Sequence, residues 1–194
     1  MYLKGGNAVW GDEISAPDDS ANSTESYGHL LRFKNSTRAN LTLADIHHFM
    51  NEHTPLAFQN MLTSNYSTGM ERDPRQIERN QKSSFQRTWS NPLESRLPRA
   101  PTIKIYCLYG QGKETERAYY YDTDGTEAFI DGTVSARGIR NGVLMGEGDG
   151  TVSLLSLGAM CVDGWKQSRY NPAKIPIITR EISVRLCYLP MSLY

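Results

Sequence analysis

Ile103-Lys-Ile-Tyr-Cys-Leu-Tyr109 is apolar and rich in β-branched and aromatic residues, with Pro101 before it and Gly110 after it. That pattern predicts a buried strand. Downstream, Ala118–Tyr121 predicts a second, aromatic strand, and Asp122-Thr-Asp-Gly125 a turn. Gly142-Val-Leu-Met145 predicts a short strand that runs into the loop Gly146-Glu-Gly-Asp-Gly150. Thr151–Met160 is expected to be helical, and Ile175-Pro-Ile-Ile-Thr179 to be a further strand. Strands alternating with helices and loops predict α/β architecture for this half.

Upstream the texture differs. Residues 1–40, with Gly5-Gly6, Pro17 and many Asn, Ser and Thr, are expected to be loop-like. Thr42 and Asp45 have the spacing of a capping box, and Leu43, Ile46, Phe49 and Met50 fall on one helical face. Thr54-Pro55 interrupts that helix, and Leu56–Leu62 resumes it. A solvated helix or loop is expected around 74–87, ended by Pro92, Pro98 and Pro101. This half has the character of cap or insertion material. Its apolar Leu30, Leu31, Phe33 and Phe49 are expected in the core rather than on a bilayer.

The chain has 194 residues, 39 % hydrophobic and 22 % charged, a composition that excludes general disorder and a membrane bundle. Lys plus Arg and Asp plus Glu are both 21, and this balance argues against a non-specific nucleic-acid binder. The longest apolar run, Val152–Met160, is broken by Ser153, Ser156 and Gly158. Met1–Asn7 has no apolar stretch, so these residues are not expected to form a secretory signal. Yet four Asn-x-Ser/Thr sequons begin at Asn22, Asn35, Asn40 and Asn65. They read either as glycosylation sites of a lumenal protein or as a polar loop segment. The three cysteines, Cys107, Cys161 and Cys187, fix no pairing on their own.

Three clusters bear on chemistry. His47, His48 and His53 lack the Cys or carboxylate pattern of a zinc site and are expected as exposed helix histidines; no metal is implied. Asp122 to Glu127 has oxygen ligands but falls far short of a calcium loop. The run Gly146–Val152 fails as a phosphate loop, since no Lys follows and two acids would repel phosphate. It instead sets Asp149 on a glycine-flanked loop at a strand end, as an α/β-hydrolase presents its triad acid; Gly-Asp-Gly is also a common turn. In that order of Ser, acid and His, a Gly-x-Ser-x-Gly elbow should precede Asp149 and a His should follow it. The chain has no such elbow, and its four histidines all lie before residue 54.

Several runs together resemble the lecithin:cholesterol acyltransferase family, on its fungal branch, over about residues 1–181. They are Lys4-Gly-Gly-Asn-Ala-Val-Trp-Gly11, Leu97-Pro-Arg-Ala-Pro101, Lys104-Ile-Tyr-Cys-Leu-Tyr-Gly110, Thr115-Glu-Arg-Ala-Tyr-Tyr120, Glu147-Gly-Asp-Gly-Thr-Val152 and Tyr170-Asn-Pro-Ala173. The resemblance implies the C-terminal part of an α/β-hydrolase fold with an incomplete sheet. Residues 1–100 would be cap, 101–181 core and 182–194 an aberrant tail.

It further implies an enzyme of the endoplasmic reticulum lumen, held at a membrane surface. Such an enzyme passes an acyl group from a phospholipid through a serine to diacylglycerol, without a cofactor. Asp149 would be the triad acid, Cys107 and Cys161 a disulfide, and the four sequons glycosylation sites. The nucleophile, lid and anchor would lie before Met1 and the base after the last strand. The chain is therefore expected to be a C-terminal fragment or a mis-assembled gene product, inactive alone. Two other classes stay open: a non-catalytic lipid-surface or interaction protein, and a misfolded remnant.

Overall fold

The computed structural model describes residues 3–22, 25–34, 39–125 and 127–183, with the side chains of His47 and Trp89 left aside. A short helix α1 (Asn7–Trp10) follows Gly5 and Gly6, both at positive φ. A Cβ on Gly5 would lie 2.2 Å from Val9, so the glycine lets the chain turn directly under the helix it starts. Trp10 is fully buried, and its Nε1 donates to the Lys4 carbonyl at 2.8 Å. It packs with Val9, Leu30, Leu43 and Ala159 in one core cluster.

Helix α2 (Leu43–His53) opens with the capping box that its sequence predicts. The Asp45 carboxylate accepts from the Thr42 N–H at 3.0 Å and from its hydroxyl at 2.8 Å. Pro55 separates α2 from α3 (Leu56–Asn65). Helix α4 (Pro74–Lys82) is capped by Asp73, which accepts from Arg75 N, and α5 (Gln86–Trp89) follows.

Two sheets carry the rest. Strand β1 (Leu31–Phe33) runs parallel to β3 (Lys113–Tyr121), which pairs antiparallel with β5 (Val143–Gly148). The short β4 (Ile139–Arg140) closes on β5 through Asn141 and Gly142, both at positive φ, as a two-residue hairpin requires. The second sheet is a parallel pair, β2 (Ile105–Gln111) with β6 (Ile177–Ser183). Between β5 and β6 lie α6 (Leu154–Gly158), a π-helical turn Ala159–Asp163 and a 3₁₀ turn Gly164–Lys166. Leu31, Leu41 and Phe49 form a second core cluster under β1, and Ile77, Leu93 and Tyr170 a third under α4.

Several expectations need correction. The strand centred on 103–109 exists, two residues further on, but is not buried: Tyr106 is 59 % and Leu108 63 % exposed. Its parallel pair has one covered face, toward the π turn, and an apolar sequence does not by itself supply cover for the other. Residues 1–40 are not all loop, since α1 and β1 fall among them. The segment 151–160 is helical only from Leu154, and its α-helix passes into the π turn at Ala159. The last strand starts at Ile177, two residues later than expected, and runs on through Ile182 and Ser183.

Candidate active site

Asp149 follows β5 directly, where the chain leaves the sheet for α6. Its Oδ1 accepts from Thr151 N at 2.8 Å and Val152 N at 2.7 Å, and its own N–H donates to Val152 O at 3.2 Å. The side chain is half-buried, and no partner among the described residues engages Oδ2. One carboxylate oxygen is thus fixed by backbone amides while the other is open to a cationic or N–H donor.

The flanking glycines are required by their neighbours. A Cβ on Gly148 would lie 2.3 Å from Val152 O and 2.4 Å from Thr115 Oγ1. Gly150 has φ +95°, and a Cβ there would lie 2.7 Å from Lys113 Cδ. The loop is tied to the neighbouring strand as well, because Gly150 N donates to Thr115 Oγ1 at 2.9 Å. Thr115 is buried, as is Arg117 two residues on. A bulge between Glu116 and Ala118 leaves Arg117 out of the ladder and turns it inward. There it donates to Asp18 and to Trp10 O. Thr115 and Arg117 both lie in a run quoted for the resemblance, yet their roles rest on contacts 35 and about 100 residues away.

Beside the loop is a small cavity of about 90 Å³ against Trp10 and residues Thr151–Ser153. A larger apolar groove of about 340 Å³ runs between α1 and α6 and is bounded by Tyr109 and Glu181 at the C-terminal ends of β2 and β6. Tyr109 donates to Glu181 at 2.9 Å, and burial together with that carboxylate pushes its phenol up to about 12.

Cys107 and Cys161 are joined in a disulfide that fastens β2 to the π turn. Asn22 and Asn65 are exposed, Asn40 is half-buried with its Oδ1 accepting from Phe33 N, and Asn35 lies outside the described residues, as does Cys187. His48 pairs with Glu52, while His53 stacks on Phe49 with both ring nitrogens against carbonyl oxygens. None of these touches Asp149. Asp122 organises its own turn by accepting from Thr123 N and Phe129 N. Among the described residues no cluster of three His, Cys, Asp or Glu is placed to hold a metal, and no helix is long and apolar enough to cross a membrane.

A family model described as lecithin:cholesterol acyltransferase matches residues 1–185. A phospholipid:diacylglycerol acyltransferase of Schizosaccharomyces pombe is 37 % identical over 187 residues, covering 94 % of this chain and 29 % of the relative. Its namesake in Saccharomyces cerevisiae is 35 % identical over 189 residues, covering 94 % and 28 %. A putative phospholipid:diacylglycerol acyltransferase 2 of Arabidopsis thaliana is 38 % identical over 104 residues, covering 48 % and 16 %. The chain spans less than a third of the length of these relatives.

Proposed function

The chain belongs to the lecithin:cholesterol acyltransferase family, and from that premise we propose that it is part of a lipid O-acyltransferase whose triad acid is Asp149. The donor would be a phospholipid and the acceptor diacylglycerol, the substrates named in the relatives' descriptions. In this reaction a serine Oγ attacks the phospholipid ester carbonyl as its proton passes to a histidine. The lysophospholipid leaves with that proton. The diacylglycerol hydroxyl then attacks the acyl-serine carbonyl as its own proton passes to the histidine, and the serine Oγ leaves and takes that proton back, yielding triacylglycerol. Asp149 would accept from the imidazole and stabilise the imidazolium.

The observation that carries the reading is the asymmetry of the carboxylate. Oδ1 is immobilised by two amides and Oδ2 has no partner among the described residues, so the acid is oriented before any base arrives. The serine and histidine are supplied from outside these 194 residues, which contain no Gly-x-Ser-x-Gly elbow and no His beyond His53. Alone, the chain is catalytically incompetent.

The same reading takes β2 and β6 as the C-terminal strands of an α/β-hydrolase sheet and residues 1–100 as cap. It is supported by the exposed Tyr106, Leu108 and Ile182, since parallel sheets are ordinarily covered on both faces. A lumenal, membrane-surface setting in the endoplasmic reticulum is supported by the Cys107–Cys161 disulfide and the exposed Asn22 and Asn65 sequons.

The test is a chimera. Residues 3–183 replace the matching segment of the Schizosaccharomyces pombe relative, and triacylglycerol formation from phospholipid and diacylglycerol is followed. Asp149→Asn should lower kcat about 10⁴-fold. Undiminished turnover removes Asp149 from the mechanism.

A further inference from the structure

We propose that Thr115 is a positioning residue that sets the Asp149 carboxylate in place, an inference that rests on the reading of Asp149 as the triad acid. Thr115 lies in β3 opposite Gly146 of β5, and only 4 % of it is exposed. Its hydroxyl is used in both directions: it donates to Lys113 O at 3.1 Å and accepts from Gly150 N at 2.9 Å. The accepting bond reaches the residue immediately after Asp149. On the other side of Asp149, Gly148 is bridged to Ser153 and leaves no room for a Cβ against Thr115. The Asp149 backbone is therefore held from both flanks, and Thr115 touches both.

The division of labour is physical. The bonds from Thr151 and Val152 to Oδ1 fix the carboxylate relative to its own loop. They do nothing to fix that loop relative to the sheet. The Thr115 hydroxyl supplies a side-chain link between the two, beside the backbone bridge from Lys113 to Asp149. A histidine delivered from another part of the protein must meet Oδ2 within a hydrogen-bond distance, and a misplacement of about 1 Å costs about a hundredfold in rate. Thr115 is also well suited to a clean test. Valine has its shape without the hydroxyl, and serine keeps the hydroxyl without the methyl.

Two measurements decide it. In the purified 194-residue chain, hydrogen exchange at the Gly150 amide should quicken more than tenfold in Thr115→Val and stay near the parent rate in Thr115→Ser. In the chimera, Thr115→Val should lower kcat between ten- and a hundredfold with KM unchanged, and Thr115→Ser should recover most of the rate. Unchanged Gly150 exchange in Thr115→Val overturns the proposal. So does parental kcat in that variant when Asp149→Asn is inactive. If Asp149→Asn is itself fully active, the acid assignment falls, and the positioning role falls with it.

Discussion

The Arg117 guanidinium lies 4.8 Å from the centre of the Trp10 ring and donates from Nη2 to the Trp10 carbonyl at 2.9 Å. These residues are 107 apart in sequence, so the pair fastens the first helix to β3. Asp18 completes the arrangement, accepting from Nε at 2.8 Å and Nη2 at 3.0 Å in a fork only Arg can present. Trp10 also borders the cavity next to Thr151 and Val152, so the lock stands directly behind the Asp149 loop.

Arg117→Met should lower stability by about 2–3 kcal/mol, less than for a fully buried pair because the Asp18 side chain is 30 % exposed. Arg117→Lys keeps the charge but loses the fork, and should recover only part of that loss. Urea denaturation of Arg117→Met, Asp18→Asn and the double variant forms the cycle. If Asp18→Asn costs the same with and without Arg117, the two residues are not coupled and the lock is only packing.

The Cys107–Cys161 disulfide closes a separation of 54 residues that contains all of β3, β4, β5 and the Asp149 loop. In the chain-entropy account a loop of that length is worth about 4 kcal/mol at most. A Cys107→Ser/Cys161→Ser double variant should therefore lose about 2–4 kcal/mol, and reductant should destabilise the parent while leaving that variant unmoved. Equal sensitivity of both to reductant would mean that this bridge is not what reduction breaks.

What is legible in the sequence follows from how local its causes are. The α2 capping box, Pro55 and the strand around Cys107 are set by neighbours within a few residues; the first two are found where their residues predict them, and the strand lies two residues further on. Asp149 is legible as a carboxylate on a glycine loop at a strand end because the glycines flank it directly. The exposure of Tyr106 and Leu108 is not legible, since an apolar side chain records what a surface is suited to face and not whether it is covered. Strand β1 spans three residues and exists through its pairing with Tyr119–Tyr121, nearly 90 residues on. The Asn141-Gly142 hairpin had a local signal that a reading centred on Gly142–Met145 as a strand passes over. Thr115 has none, because its partner at Gly150 is 35 residues away.

Asp131 gives the acid limb of the stability profile a specific term. Its carboxylate accepts from the Thr133 hydroxyl, from Lys34 at 3.0 Å and from the Thr133 N–H at 3.0 Å, which together hold its pKa at about 2 against an ordinary 3.8. A depressed folded-state pKa stabilises fully above the unfolded value, and that stabilisation is lost as pH falls. The gap in urea midpoint between the parent and Asp131→Asn should therefore be constant above about pH 4, shrink below it and be small near pH 2. A gap that is the same at pH 2 and pH 6 would assign the difference to hydrogen-bond geometry rather than to charge.

Gly148 is the residue on which the acid loop turns, and its tolerance can be predicted from contact alone. An added methyl would meet Val152 O at 2.3 Å, Thr115 Oγ1 at 2.4 Å and Thr115 Cβ at 2.8 Å. None of these is the free end of a flexible side chain, so relief requires the loop to move off β3. Gly148→Ala should cost about 2–3 kcal/mol and, in the chimera, lower kcat with little change in KM, because the displaced segment carries Asp149. Gly132→Ala is the control: nothing lies within 4 Å of its added methyl, and its stability should be unchanged or raised by up to about 1 kcal/mol. If Gly148→Ala loses stability and keeps its kcat, the loop can shift without moving the carboxylate proposed as the triad acid. The rigid linkage from Thr115 through Gly150 to Asp149 would then be broken at its first step.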